Sequence, residues 1–145
     1  MAPLQGLTGH VFRAVYLRHF SGIDHSYCPF VRLKAGALRP RDERELEAGV
    51  REGEGFTPQI LASEPDEAHK LCTLLGERGY RRVNLNLGCP YPMETKRGKG
   101  AGLLPHPERV AALLEVLCGQ TPELQVSVKT RLGLEDSREF LALLP

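Results

Sequence analysis

The feature that most constrains the fold is a regular alternation of short apolar strands and amphipathic helices in the second half of the chain. Three apolar stretches have the length and composition of buried strands, and they lie at residues 58–62, 83–87 and 126–129. Two helices are predicted between these strands, and each is bounded by a proline at its beginning and a glycine at its end. The first helix begins at Pro65 and ends at Gly79, and the second begins at Pro107 and ends at Gly119. Strand, helix, strand with short connections predicts βαβ units and a parallel sheet.

Apolar residues in both helices recur at the i, i+3, i+4, i+7 spacing that puts them on one face. They are Ala68, Leu71, Cys72 and Leu75 in the first, and Val110, Leu113, Leu114 and Leu117 in the second. Each helix is therefore expected to pack this face against the sheet.

The remaining segments give weaker patterns. Thr8 is the predicted N-cap of a first helix that runs to about Phe20, with an apolar stripe formed by Val11, Phe12, Val15 and Tyr16. Residues 23–27 are predicted to form a short strand, and the charged residues 39–54 a solvated helix or loop. Ser137 is predicted to cap a last helix.

Two layouts suit this pattern: an open doubly wound sheet, or the front part of a (β/α)8 barrel. A complete barrel needs about 250 residues, so 145 residues form about half of one. The fold class is therefore α/β, and length alone favours one domain.

Composition excludes several classes of protein. With 41% hydrophobic and 26% charged residues, the chain is neither disordered nor fibrous. No stretch of 18 apolar residues is present, and the N-terminus lacks the pattern of a secretory signal. The net charge of +1 means that any nucleic-acid partner must be held by a local basic patch.

The cysteines and histidines follow no metal-binding spacing, so no metal is expected. Four cysteines without a C-x-x-C pair indicate free thiols in a reducing cytoplasm, and Cys28, Cys72 and Cys118 are predicted to be small core residues.

Polar residues stand at the predicted strand ends, where parallel α/β proteins bind ligands. They are Gln59, Asn86, Cys89, Lys129 and Arg131. Cys89 is either a functional thiol or a small residue in the turn between Gly88 and Pro90. Lys129 and Arg131 share a strand face, and they either meet an electron-rich ring or phosphate or are ordinary surface cations.

The glycine-rich loop that follows Cys89 is basic. Lys96, Arg97 and Lys99 could contact a phosphate backbone, or they could simply be solvated.

Together these residues resemble the tRNA-dihydrouridine synthases. The resemblance rests on four blocks: residues 2–8 (A-P-L-Q-G-L-T), 84–90 (N-L-N-L-G-C-P), 96–104 (K-R-G-K-G-A-G-L-L) and 128–133 (V-K-T-R-L-G). The four blocks occur in the order and spacing of that family, and the region from the first to the last block spans nearly the whole chain.

The resemblance implies an FMN-binding (β/α)8 barrel that reduces uridine to 5,6-dihydrouridine in tRNA, with NADPH as the reductant. By the same resemblance, Pro3, Leu4, Gln59 and Lys129 would contact the flavin, and Asn86 and Arg131 would hold the target uracil. Cys89 would give a proton to C5 after hydride reaches C6, a role that suits a thiol because ordinary thiols are mostly protonated at neutral pH. The target base would have to be flipped out of the folded RNA.

The resemblance also implies that residues 1–145 are the N-terminal part of the barrel. The later strands, which would carry the flavin-phosphate loops, and the C-terminal helical domain, which helps to hold tRNA, lie outside the chain. The isolated chain is therefore expected to bind FMN weakly or not at all. Two alternatives remain open: an inactive half-barrel, and an FMN barrel reductase acting on a small molecule such as dihydroorotate.

Overall fold

The computed structural model describes residues 1–119 and 124–144. The chain divides into two compact units, Met1–Gln59 and Ile60–Pro145. It is a mixed α/β protein with helices and parallel strands.

The first unit has two helices and short strands. In chain order they are α1 (His10–His19), β1 (Ser26–Tyr27), β2 (Leu33–Lys34), β3 (Ala37–Leu38), α2 (Pro40–Glu52), a 3-10 turn (Gly53–Gly55) and β4 (Phe56–Thr57). Strand β1 pairs with β4 in parallel. Strand β5 (Gln59–Ile60) follows at the boundary between the units.

An antiparallel hairpin in this unit was not predicted. Strands β2 and β3 pair across the dipeptide Ala35-Gly36, and both residues have positive φ, 50° and 81°. Two successive residues of positive φ give the tight turn whose twist matches a hairpin.

Helix α1 differs from its prediction at its beginning. The N-cap is Gly9 and not Thr8, and no side chain caps the helix. Thr8 is buried one residue earlier, where its hydroxyl accepts a hydrogen bond from Leu4 N at 2.8 Å.

The predicted apolar stripe of α1 is mostly exposed, and the buried side chain of the helix is a charged one. Val11, Phe12 and Val15 are exposed, whereas Arg13 is 0% exposed. The apolar spacing was correct for a helix, but it did not identify the face that packs inward.

Arg13 is buried because its charge and donors are matched. Its guanidinium binds Glu45 and Glu52 of α2, each at 2.7 Å, and donates to the Thr8 carbonyl at 3.0 Å. It also lies 4.9 Å from the centre of the Phe56 ring. A buried charge is tolerated only when it is paired in this way, so the charged segment predicted as a solvated helix or loop is in fact a helix whose carboxylates anchor α1.

The second unit contains the longer helices and strands. They are α3 (Pro65–Glu77), β6 (Arg82–Leu87), α4 (Pro92–Thr95), a 3-10 turn (Gly100–Leu103), α5 (Pro107–Gly119), β7 (Gln125–Thr130) and a 3-10 helix (Ser137–Leu143). The helices predicted to begin at Pro65 and Pro107 are confirmed, as are the strands around residues 83–87 and 126–129. Strands β5, β6 and β7 form one sheet in that order.

The predicted helix faces form the core of this unit. Helix α3 buries Ala68, Leu71, Cys72 and Leu75, and α5 buries Val110, Leu113 and Leu117. Strand β6 is buried along residues 83–87. Burying a leucine side chain contributes about 1.5–3 kcal/mol, so these faces hold the helices against the sheet.

The last helix also differs from its prediction. It is a 3-10 helix capped by Asp136 and not by Ser137. The Asp136 carboxylate accepts from Arg138 N, and Glu139 bonds back to the backbone of Asp136 in a capping box.

No helix in the described part of the chain is long and apolar enough to cross a membrane.

Candidate active site

The candidate site lies at the carboxyl ends of β6 and β7. These strands are parallel, and Asn86 is in register with Lys129. Because register partners in a parallel pair point to the same side of the sheet, Asn86 and Lys129 lie on one face. Asn84 and Ser127 lie on that face as well, joined by a 2.9 Å hydrogen bond. Polar side chains therefore follow this face to the strand ends.

Asn86 shapes the turn by which the chain leaves β6. Its side-chain oxygen accepts hydrogen bonds from Gly88 N at 3.1 Å and Cys89 N at 2.9 Å. The first bond makes an Asx turn, in which an Asn side chain takes the place of a backbone carbonyl. The turn ends the strand and brings Cys89 to its edge, half-buried.

The glycine-rich loop approaches Cys89 from the other side. Ala101 N donates to the Cys89 carbonyl at 3.0 Å. Gly100 has φ +58°, and a Cβ there would lie 2.7 Å from the Cys89 carbonyl oxygen and 2.9 Å from Cys89 Cβ. Glycine is thus required at position 100 both for its backbone angle and for this close approach.

Two cations lie at the end of the neighbouring strand, Lys129 within β7 and Arg131 just after it. Lys129 and Arg131 are exposed, and among residues 1–119 and 124–144 neither takes part in an ion pair. The backbone of Arg131 lies next to Gly88, whose Cβ position is 3.7 Å from Arg131 N. The structure therefore brings Asn86, Cys89, Lys129 and Arg131 to one end of the sheet in the second unit.

The three basic residues of the loop have different environments. Lys96 and Arg97 are exposed and form no ion pair within the described residues. Lys99 is half-buried and pairs with Glu67 of α3 at 2.5 Å. A contact between Lys99 and an RNA phosphate would require this ion pair to break.

The predicted flavin contacts Pro3, Leu4 and Gln59 belong to the first unit. Pro3 is buried, and Leu4 is 54% exposed. The Leu4 carbonyl accepts from the amides of Leu7 and Thr8 at 3.0 and 3.1 Å, so the opening motif forms a tight turn. A cleft of about 260 Å³ opens beside this turn, between the beginnings of α1 and α2.

Gln59 is buried, with 1% of its surface exposed. Its amide N–H points to Cys28 Sγ at 3.4 Å, and its carbonyl accepts from Val31 N at 2.8 Å. Its backbone is therefore fixed within the first unit.

The cysteines separate into distinct environments. Cys28 and Cys72 are buried, and burial raises the pKa of the Cys28 thiol to about 12, which makes it unreactive. Cys118 was predicted to be a core residue but is exposed, because it lies beside the buried face of α5 and not on it. Cys89 is the half-buried thiol at a strand end.

The family model described as dihydrouridine synthase matches residues 1–144 of the chain. The chain belongs to the dihydrouridine synthase family. The resemblance to this family, inferred from the four motifs, is thereby confirmed.

Individual relatives of this family agree. The chain is 28% identical to a protein named probable tRNA-dihydrouridine synthase from Staphylococcus epidermidis, over 97% of this chain and 43% of that protein. It is 31% identical to the tRNA-dihydrouridine(16) synthase of Cupriavidus necator, over 94% of this chain and 44% of that protein. It is 41% identical to the tRNA-dihydrouridine(20/20a) synthase of Shewanella oneidensis, over 57% of this chain and 25% of that protein. The chain thus spans less than half the length of the dihydrouridine synthases it matches.

Three features of the candidate site were missed by sequence reasoning. They are the turn-forming bonds of Asn86, the ion pair between Glu67 and Lys99, and the approach of Gly100 to Cys89. An Asn two residues before a glycine at a strand end is a recognisable signal for an Asx turn. The other two features are tertiary contacts of the loop, one with α3 and one with Cys89, and no local pattern reports them.

Proposed function

We propose that this chain carries the uracil-reducing residues of a flavin-dependent enzyme that converts uridine to 5,6-dihydrouridine in tRNA. One observation carries the proposal: a half-buried thiol, an amide and two cations that form no ion pair with any described residue lie together at the ends of two parallel strands. The family match and the names of the relatives supply the reaction class.

In the proposed reaction Cys89 is the general acid. Hydride addition at C6 of the uracil leaves negative charge on C5 and O4, and the Cys89 S–H gives its proton to C5. The thiolate then regains a proton from solvent. Asn86 and Arg131 hold the uracil, and the positive charge of Arg131 opposes the charge that develops on the base.

FMN supplies the hydride when it is bound, and NADPH replenishes it. The residues at the strand ends suit such a group. Lys129 is an exposed cation in register with Asn86, and a cation there stabilises a ring that becomes electron-rich on reduction. Pro3, Leu4 and Gln59 are the further flavin contacts that we propose from the resemblance.

We propose that the tRNA backbone meets the exposed cations Lys96 and Arg97. They precede the turn at Gly98 and Gly100 that approaches Cys89, so a phosphate bound there would lie near the strand that bears the site. Lys99 is less suited to this contact, because Glu67 already neutralises it.

The proposed fold of the whole enzyme is a (β/α)8 barrel of which this chain forms about the first half. Parallel pairing of β1 with β4 and of β6 with β7 supports this. The position of the candidate site at the carboxyl ends of strands is also typical of barrel enzymes.

The decisive experiment separates the two half-reactions. The protein is purified as its gene encodes it, and flavin reduction by NADPH is followed by absorbance while dihydrouridine is measured by mass spectrometry of tRNA nucleosides. Cys89→Ala is expected to keep flavin reduction and to lower dihydrouridine formation about 10²–10⁴-fold, the usual effect of losing a general acid. Lys129→Ala is expected to slow both half-reactions, because it acts on the flavin.

Cys118→Ala is the matched control. It removes an exposed thiol from α5, and both half-reactions are expected to proceed at the parent rate. If Cys89→Ala formed dihydrouridine as fast as Cys118→Ala, Cys89 would be a turn residue and the proposed mechanism would be wrong.

A further inference from the structure

Both backbone groups of Cys89 are hydrogen-bonded. Its N–H donates to the Asn86 side-chain oxygen at 2.9 Å, and its carbonyl accepts from Ala101 N at 3.0 Å. Pro90 follows directly, and its ring fixes its own φ. The backbone at Cys89 is therefore held on both sides, and rotation about the Cα–Cβ bond is the main freedom left to the thiol.

One of these two restraints comes from a side chain that also belongs to the candidate site. The Asn86 oxygen accepts from two successive amides, those of Gly88 and Cys89. Asn86 is 6% exposed, so solvent has little access to replace these bonds. Removing the oxygen would leave two amides without their acceptor, and the strand end would rearrange.

We infer that Asn86 is a positioning residue for Cys89, whose side-chain oxygen fixes the turn that aims the thiol at the uracil. This rests on the proposed function and adds a second role to the uracil contact suggested for Asn86. A proton donor must be held within hydrogen-bonding distance of the atom it protonates, and a misplacement of about 1 Å can cost about 10²-fold in rate.

The inference distinguishes the oxygen of Asn86 from its NH2 group. Asn86→Asp keeps an acceptor oxygen and removes the NH2 donor. Asn86→Leu removes both at similar size, and Asn86→Ala does so with a smaller side chain if the leucine variant does not fold. Asn84→Leu is the matched control, because Asn84 is a buried neighbour on the same strand face and its amide donates to Ser127 Oγ on β7 at 2.9 Å.

The first measurement is hydrogen exchange of the Gly88 and Cys89 amides in this chain. Asn86→Leu is expected to speed exchange of both by about tenfold, the effect of losing one ordinary hydrogen bond. Asn86→Asp and Asn84→Leu are expected to leave both amides protected. Parent-like protection in Asn86→Leu would overturn the inference.

The second measurement is a single turnover of tRNA by the pre-reduced holoenzyme, with the rate of the chemical step determined separately from tRNA affinity. Asn86→Leu is expected to lower that rate about 10²-fold, with unchanged flavin reduction by NADPH. Asn86→Asp is expected to react faster than Asn86→Leu, because it keeps the acceptor oxygen of the turn, but more slowly than the parent, because its charge opposes the negative charge that develops on the uracil. Asn84→Leu is expected to match the parent.

The outcomes separate this inference from the proposed function. If Asn86→Asp is as slow as Asn86→Leu while its amides stay protected, Asn86 acts through its NH2 group on the uracil and the positioning role is wrong. If Asn86→Leu reacts at the parent rate while Cys89→Ala does not, only the positioning role fails. If Cys89→Ala reacts at the parent rate, the proposed function itself fails.

Discussion

Replacing Gly100 with alanine should destabilise the protein and displace Cys89. The backbone at Gly100 has φ +58°, and a residue with a Cβ pays about 1–2 kcal/mol to adopt that conformation. The new Cβ would also lie 2.7 Å from the Cys89 carbonyl oxygen. Because this atom is backbone, the contact is relieved only by moving the loop, which typically costs about 1–3 kcal/mol. The expected loss in free energy of unfolding is about 2–5 kcal/mol.

Two other glycines separate these contributions. Gly98 also has positive φ, +65°, but its Cβ would meet the flexible end of Arg109. Gly98→Ala is therefore expected to cost only the conformational part, about 1–2 kcal/mol. Gly76 lies in α3 with no atom near its Cβ position, so Gly76→Ala is expected to stabilise the helix by about 0.5–1 kcal/mol.

Thermal unfolding of the three variants tests this order. A loss of 1 kcal/mol lowers Tm by about 2–4 °C in a protein of this size, so Gly100→Ala is expected to melt about 4–20 °C below the parent. A change in the rate at which Cys89 is alkylated would report its displacement, measured in a Cys118→Ser background so that the exposed thiol of Cys118 does not contribute. Equal Tm values for Gly100→Ala and Gly98→Ala would refute the close approach of the loop to Cys89.

Further predictions concern the two ion-pair regions. Arg13→Met is expected to cost about 3–5 kcal/mol at neutral pH in urea unfolding, because it removes a buried charge that pairs with two half-buried carboxylates and leaves them without its guanidinium. Burial alone would raise the pKa of Glu45, but hydrogen bonds from Arg13 and His10 outweigh it and hold that pKa below its ordinary value. The stability that this pKa shift contributes is fully present above the ordinary glutamate pKa, and it is lost as the pH falls through the lower pKa of the folded state. Arg13→Met is expected to make the free energy of unfolding depend less on pH in this acid range. Replacing both Lys96 and Arg97 with alanine is expected to reduce the number of counterions released on tRNA binding, read from the salt dependence of the affinity, by about two. Lys99→Met is expected to lower Tm and to leave that salt dependence unchanged. Binding titrations at several salt concentrations would show whether the basic loop contacts tRNA.

The sequence by itself determined the main helices and strands of the second unit, α3, α5, β6 and β7. Pro65 and Pro107 mark the beginnings of α3 and α5, and the apolar spacing of each helix identifies its buried face. These signals are local, because a helix places residues three and four apart on one side whatever the rest of the chain does. The four motifs, including the one around Cys89, were equally local, and together they were enough to predict the family.

Tertiary structure alone decided which side of α1 is buried and how the site loop is held. The spacing of Val11, Phe12 and Val15 is helical, but the buried residue is Arg13, since Glu45 and Glu52 more than thirty residues away supply its partners. The ion pair between Lys99 and Glu67 joins distant segments, and the approach of Gly100 to Cys89 depends on how the loop folds back on the end of β6. The local sequence around a charged residue or a glycine is the same whether that residue is solvated or packed against a partner. The free energy that favours the packed state comes from the partner, which the local sequence does not contain.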